Sequence, residues 1–268
     1  MTGTVHVPVL EHEVLQLLNP SPESIVLDGT VGTGGHALAL LHAMGSRGQL
    51  VGFDLDETAL AIARQRLAPF GERVLLLKAS YADASDVLGA HPTFQPLSSI
   101  LLDLGFSTTE LVESGRGFSY RHPDEPLDMR FDPSGERPTA ASILATRDER
   151  ELATIIAAYG EEPLAGRIAQ RIVRQRKERR LERVHDLVEV ILTVYGRRRY
   201  AERSRQHPAA RTFQALRIAV NDELGTLHAA LPRLTRLLAP GGRIAVISFH
   251  SIEDRIVKTF FTTESRQC

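Results

Sequence analysis

The sequence predicts an α/β fold: a mostly parallel sheet with helices on both faces, carrying a helical insertion between its fourth and fifth strands. Three observations predict it. Short apolar runs alternate with helical patterns between residues 11 and 103, as βαβ units do. Acids stand at the carboxyl ends of three of those runs, at Asp28, Asp54 and Asp103. The alternation then stops for about 100 residues and resumes with one more helix and strand, so the intervening segment is inserted rather than appended.

Residues 5–10 form an N-terminal arm, and residues 11–18 read as a short helix that Asn19-Pro20-Ser21-Pro22 stops. Residues 24–27 are apolar and β-branched, as a strand buried on both faces should be. The chain then passes through Asp28-Gly29-Thr30-Val31-Gly32-Thr33-Gly34-Gly35-His36 into helix formers at 37–44. Glycine there tolerates φ > 0 and lets a ligand approach the backbone, while the helix beyond offers free N–H groups. A nucleotide cofactor fits such a turn, and so does a plain connection. Two cofactor classes compete. Gly32-x-Gly34-x-x-Ala37 satisfies the dinucleotide fingerprint, with Asp54 about 20 residues on as its ribose acid. The acid before the turn, Asp28, suits instead the cationic amino acid tail of S-adenosylmethionine, and would repel a pyrophosphate.

Residues 49–54 are the second strand, and Asp54 at its end can accept two hydrogen bonds from a ribose diol. A helix follows over 57–67, with Asp56 as its N-cap. Residues 73–77 are the third strand, with Tyr81 and Asp83 after it where an adenine ring would stack or have its amine held. The fourth strand, 97–102, ends in Asp103-Leu104-Gly105-Phe106-Ser107. Ligands of open parallel sheets bind beyond the carboxyl ends of the strands, so Asp28, Asp54, Tyr81 and Asp103 fall on one rim.

The insertion opens with a loop over 110–138 that holds Arg116-Gly117-Phe118-Ser119-Tyr120 and Pro126-Leu127-Asp128-Met129-Arg130; its length, aromatics and arginines favour a functional role. Residues 139–195 are helical, with Arg171, Arg174, Gln175, Glu178 and Glu182 opposite Ile168, Ile172 and Val173. Arg197-Arg198-Arg199-Tyr200 and residues 203–211 are cationic with Tyr200, His207 and Phe213 interleaved, suited to phosphates and stacked bases. One long helix is expected over 213–238, ended by Ala239-Pro240-Gly241-Gly242, and a fifth strand over 243–249. The expected domains are 1–109 with 209–268, and the insertion 110–208.

Composition fits these parts. Of 268 residues, 43% are hydrophobic, enough for a sizeable core. The one cysteine, Cys268, excludes an internal disulfide framework or cysteine metal site. No membrane span or export signal is legible, so a soluble protein of the reducing cytoplasm is expected. The net charge of −1 conceals an asymmetry: residues 160–211 hold 14 Lys and Arg against 7 Asp and Glu, a net +7 that leaves −8 on the rest. A basic module on an acidic body predicts a polyanionic partner, against a plain solvated helical face.

With those residues in place, the chain resembles the family of ribosomal RNA small subunit methyltransferase H, MraW-like enzymes. The resemblance runs from His6 almost to the end. It is carried by Asp-Gly-Thr-x-Gly-x-Gly-Gly-His at Asp28 to His36, Leu-Leu-Asp-Leu-Gly-x-Ser at Leu101 to Ser107, Arg-Gly-Phe-Ser at Arg116 to Ser119 and Pro-Leu-Asp-Met-Arg at Pro126 to Arg130. Two further blocks are His-Pro-Ala-x-Arg-Thr-Phe-Gln-Ala-Leu-Arg-Ile at His207 to Ile218 and Ile-Ser-Phe-His-Ser-x-Glu-Asp-Arg at Ile247 to Arg255. The resemblance implies a Rossmann-like class I methyltransferase with strand order 3-2-1-4-5. It implies transfer from S-adenosylmethionine to the N4 amine of a cytidine in the decoding region of small-subunit 16S ribosomal RNA. The expected partner is that RNA, within an assembled or nearly assembled subunit; a homodimer is allowed. The family usually continues beyond the position of Cys268 with a segment that completes the sheet.

For cofactor contacts the resemblance implies Gly34, Gly35 and His36 at the turn, Asp54 on the ribose, Tyr81 near the adenine and Asp103 near the amino acid or the reacting centre. Glu110 stands where the family commonly has Gln; a carboxylate there removes two donors and adds charge. Cytosine N4 is a poor nucleophile because its lone pair is delocalised, so acceptors must turn the amine and take a proton; Asp103 is the first candidate and Ser107 the second. The sulfonium is already activated, so no metal is required. A flipped base would meet Phe106, Phe118 or Tyr120. Arg116, Arg130, Arg198 and Arg211 would hold the backbone, with Asp128 and Arg130 equally readable as an ion pair that shapes the loop. The competing functions are a non-catalytic RNA-binding assembly factor and, on the turn alone, an NAD-dependent oxidoreductase.

Overall fold

The computed structural model describes residues 8–104, 114–196 and 207–267. Its contacts divide the chain into two compact units, Met1–Phe106 with Leu224–Cys268, and Ser107–Glu223.

The first unit holds five parallel strands, β1 (Ile25–Asp28), β2 (Gln49–Asp54), β3 (Val74–Lys78), β4 (Leu97–Asp103) and β5 (Leu238–Ile247), in the order β3-β2-β1-β4-β5. This is the order that the resemblance implies. Helix α1 (Glu11–Leu18) leads into β1, and α2 (Gly35–Ala43), α3 (Glu57–Leu67) and α4 (Ala84–Gly89) link the first four strands. Successive residues of a strand face opposite sides, and here both sides are covered. Val26, Leu50 and Leu101 join Val14, Leu18, Leu40 and Leu41 in one apolar layer; Leu27, Val51 and Leu102 join Phe53, Leu227, Leu231 and Val257 in the other. Each fully buried leucine or valine contributes roughly 1.5–3 kcal/mol, which is why the central strands carry near-continuous apolar runs. At the N-terminus of α3, Asp56 accepts from Thr58 N–H at 2.8 Å, as its position predicts.

The second unit contains α5 (Ala140–Thr146), α6 (Glu149–Gly160), α7 (Ala165–Gln175), α8 (Val184–Tyr195) and α9 (Ala209–Asn221). Asp148 and Glu151 close a capping box on α6. Gly160 permits α6 to lie against α9, since a Cβ there would stand 2.4 Å from the Arg211 carbonyl oxygen. In α7 the residues Ala165, Ile168, Ala169 and Ile172 are buried at three- and four-residue steps.

Two expectations need correction. The single helix expected over 213–238 is two, α9 and α10 (Glu223–Thr235), broken at Asp222, whose φ of 52° is left-handed. The apolar spacing runs through the break because both helices bury leucines, so periodicity alone could not reveal it. As a result residues 209–223 lie in the second unit, whereas the sequence reading began the returning half of the first domain at 209. The Ala239-Pro240-Gly241-Gly242 stretch does not precede β5 but lies within it. Leu238 pairs with Leu97 and Arg243 with Ser99, so four residues bulge out opposite one, helped by Gly241 at φ 80°. After β5 comes α11 (Ser251–Gln267), where His250 Nδ1 accepts from Glu253 N–H and His250 Nε2 stands 3.1 Å from Glu253 Oε1.

Candidate active site

The strand order reverses direction at β1, which lies between β2 and β4, and the crevice at such a switch point is where open α/β sheets bind ligands. In register, Asp28 is opposite Gly52 on one side and Leu101 on the other, so Asp54 and Asp103 each stand two residues beyond it. Past Asp28 the chain is tied to both neighbours in turn. Gly29 N–H donates to the Leu101 carbonyl (2.9 Å) and Val31 N–H to that of Phe53 (2.8 Å). Gly29 must be glycine, because a Cβ would lie 2.5 Å from Leu102 Cδ2 and 2.9 Å from Tyr81 Cβ. Gly34 caps α2 at φ 84°, a conformation that other residues adopt at a cost of roughly 1–2 kcal/mol.

The rim is an electrostatic cluster. Asp28 is 1% exposed, and burial, opposed by the charge of His36 and the Thr30 N–H bond, pushes its carboxyl up to about 7. The Asp103 and Asp54 charges push the same way, so the three acids share one field. Asp54 is also raised by burial, although its Oδ2 accepts from Gly32 N–H (2.8 Å) and its Oδ1 from Asp56 N–H (2.9 Å). That pair of bonds fixes the carboxylate against the glycine turn, with lone pairs to spare on each oxygen. His36 is buried with Nε2 3.6 Å from Asp103 Oδ2. Both His36 ring nitrogens and Asp103 Oδ1 are buried without a hydrogen-bond partner among the described residues. Unsatisfied buried polar atoms in such number belong to a ligand site more often than to a core.

The structure therefore brings together Asp28, Gly34, Gly35, His36, Asp54, Tyr81 and Asp103, all in the first unit and all at the carboxyl ends of the strands or just after them. Phe106, Ser107, Glu110 and Arg198 lie outside the described residues. Sequence reasoning missed Thr30. Its N–H donates to Asp28 Oδ1 (3.2 Å) and its hydroxyl oxygen accepts from Asp103 N–H (2.7 Å), so one residue is bonded to both acids of the rim. Its only signal was its place inside the quoted Asp-Gly-Thr block.

The residues nominated in the insertion are engaged differently from expectation. Arg116 Nη1 donates to the carbonyls of Arg130 (3.0 Å) and Phe131 (2.8 Å), and its guanidinium lies over the Phe118 ring. Phe118 is buried and stacked on Phe131, so it packs the loop rather than standing open to a base. Asp128 and Arg130 form a two-pronged ion pair at 2.8 and 2.9 Å. Burial raises the Asp128 carboxyl, but the Arg130 hydrogen bonds outweigh it and hold it below the usual carboxylate range. The ion pair that the sequence allows is present. Tyr120 is stacked on His207 at 4.4 Å and edge-on to Phe213, and Arg211 Nη1 donates to the Glu161 carbonyl. His207 Nδ1 accepts from Ala209 N–H at the start of α9, a capping role; burial and the Arg121 charge hold its pKa down.

Asn221 is the other residue missed. It accepts from Phe131 N–H (2.9 Å) and donates to the Met129 carbonyl (2.8 Å), clamping a loop 90 residues away in the chain, for which no local signal exists.

Comparison with known proteins matches residues 3–268 to the MraW methylase family. A protein of Heliobacterium modesticaldum named ribosomal RNA small subunit methyltransferase H is 49% identical over 98% of this chain and 83% of its own length. Proteins of the same name from Geotalea uraniireducens and Dictyoglomus thermophilum are 47% and 44% identical, over 100% and 98% of this chain and 84% and 86% of theirs.

Proposed function

Because this chain belongs to the MraW methylase family, we propose that it transfers a methyl group from S-adenosylmethionine to the N4 amine of a cytidine in small-subunit ribosomal RNA. The observation that carries the reading is the buried acid rim, where Asp28, His36 and Asp103 present charge and unpartnered polar atoms at the switch point of the sheet. An NAD-dependent oxidoreductase is disfavoured by the same rim, since a pyrophosphate at the glycine turn would meet the acids Asp28 and Asp103.

S-adenosylmethionine, when bound, supplies an electrophilic methyl group on a sulfonium. In this reading Asp28, its proton released to solvent, would hold the amino acid tail's cation, and Gly34 and Gly35 would let the ligand approach the backbone. Asp54, already oriented by Gly32 and Asp56, would accept from the ribose diol, and Tyr81 would take the adenine. Asp103 is the proton acceptor. Its backbone is tied to Thr30, and its free Oδ1 would receive a hydrogen of N4, turning the nitrogen lone pair out of the cytosine ring and toward the methyl carbon. Ser107 is the second acceptor candidate, and Phe106 the candidate to stack on the extruded base. Arg198 and Glu110 keep their proposed contacts with RNA and cofactor. Arg116, Asp128 and Arg130 act on the substrate through the loop they brace.

The finer assignments belong to the same reading: the position in the decoding region, an assembled or nearly assembled subunit as substrate, work in the cytoplasm, and a homodimer. No helix among the described residues is long and apolar enough to cross a membrane. Mass spectrometry of small-subunit RNA from cells with and without the gene tests the reading. N4-methylcytidine is expected to vanish without the gene and to stay absent on complementation with Asp103→Ala, while that variant still binds RNA. Restored methylation by Asp103→Ala would remove the acceptor role, and unchanged N4-methylcytidine in the deletion would remove the function.

A further inference from the structure

The arginines of the insertion that the sequence nominates for RNA are largely engaged within it: Arg116 on loop carbonyls, Arg130 on Asp128, Arg211 on Glu161. A different cationic recess lies wholly in the second unit, at the C-terminal end of α7. One wall is α5 from Ala141 to Ala145; the other carries Arg176, Lys177, Arg180 and Glu182, and the open space between them is about 550 Å³. That is ample for a sugar-phosphate group.

The cations here are positioned in two ways. Arg176 Nη1 donates to the carbonyls of Leu144 (2.7 Å) and Arg147 (2.6 Å), the acceptors that the end of α5 leaves without helical partners. A guanidinium has five donors, so one nitrogen anchors the group while the planar fork is held at the recess. Lys177 and Arg180 are exposed at its mouth. The opposing acid is Glu182, 3.9 Å from Arg180 between two mostly exposed side chains, a pair that water and salt screen strongly. Across the Arg180–Leu181 wall is a smaller hollow lined by Arg171, whose Nε is buried with no hydrogen-bond partner among the described residues, and by Arg179, which pairs with Asp186.

We infer that the recess between α5 and the end of α7 binds the sugar-phosphate backbone of the RNA substrate, Lys177 and Arg180 each neutralising a phosphate beside the anchored Arg176. The inference rests on the reading of the protein as an RNA methyltransferase and adds where its insertion grips. None of the residues lining the recess is aromatic. It therefore has no platform for stacking a base, and reads charge and shape rather than sequence.

Fluorescence anisotropy of a labelled small-subunit RNA fragment with the full chain tests this, comparing wild type with K177A/R180A over a series of salt concentrations. Each lost phosphate contact removes about 0.7–0.9 from the slope of log affinity against log salt, so two remove about 1.4–1.8 and weaken binding roughly 25- to 60-fold at 0.1 M salt. The charge-keeping swap K177R/R180K is expected to retain slope and affinity, and cofactor affinity is expected to be the same in all three proteins. Wild-type slope and affinity in K177A/R180A overturn the inference. So does a variant that keeps its affinity for the RNA fragment and loses it only for the assembled subunit, because the recess would then meet a ribosomal protein. A wild type that binds no RNA and forms no N4-methylcytidine fails the functional reading itself, and the recess falls with it.

Discussion

Replacing Asp28 with asparagine should make the ligand-free protein more stable and a poorer binder of its cofactor. In the folded chain the Asp28 carboxyl keeps its proton up to about pH 7; in the unfolded chain it gives the proton up near 3.8. Below 3.8 both states are protonated, and above about 7 both are ionised. Between these limits the folded state binds a proton that the unfolded state has released, so stability falls as pH rises, by about 4 kcal/mol across the window. Asparagine is neutral throughout and its oxygen can still accept from Thr30 N–H. The variant is therefore expected to match wild type near pH 4 and to exceed it by up to about 4 kcal/mol at pH 8. Calorimetric melting from pH 4 to 8.5 reads this as a widening difference in Tm. Binding has the opposite sense, because a cationic ligand favours the ionised carboxylate. Wild-type Kd for S-adenosylmethionine is expected to be about tenfold weaker at pH 6 than at pH 8, with the loss following Asp28 protonation. In Asp28→Asn that dependence should disappear and the affinity should be low at every pH. A Tm difference that does not change with pH, or a wild-type Kd flat between pH 6 and 8, would refute the account.

Gly29→Ala forces a Cβ to within 2.5 Å of Leu102 and is expected to cost about 1–3 kcal/mol and to abolish cofactor binding, measured by chemical denaturation and calorimetric titration. Asn221→Ala leaves the Met129 carbonyl and the Phe131 N–H without their partner and should cost about 2–3 kcal/mol; a loss under 0.5 kcal/mol would mean that water replaces the clamp. Arg130→Lys gives up the two-pronged bond to Asp128 and should lower methyl transfer to RNA while leaving the cofactor Kd alone. Because Asp128 is held below the usual carboxylate range, the stability from this pair is present above about pH 4 and is lost as pH falls through the folded value. An Arg130→Met variant should lack that acid-side loss in a melting series.

Much of the first unit was legible because its signals are local. The strand over 49–54 and the helices over 11–18 and 57–67 appear with the expected limits, since a buried strand is a continuous apolar run and a helix such as α3 announces its cap at Asp56. The acids of the rim were legible for the same reason, each closing its strand. What the chain does not spell out is who partners whom across distance. Thr30 reads as one more small residue in a turn, and its double bond to Asp28 and Asp103 depends on two strands lying side by side. In the insertion, the arginines looked alike in sequence. Whether a guanidinium is spent on loop carbonyls, as in Arg116, or stands exposed beside a cleft, as in Arg180, is decided by the packing of loops and helices far apart in the chain. The kink at Asp222 was hidden by leucines that satisfy both helices.

The four-residue excursion at 239–242 divides the pairing of β5 with β4 into two unequal runs, Leu238 with Leu97 alone and Arg243–Ile247 with Ser99–Asp103. Its proline has no amide hydrogen to give, and Gly241 turns the backbone at φ 80°. The unbroken run is the one that ends at Asp103, so the rim acid is seated by five consecutive pairs, while slack at the other end of the strand is absorbed before it reaches the site. Removing two residues from the excursion should therefore lower stability and leave cofactor affinity intact.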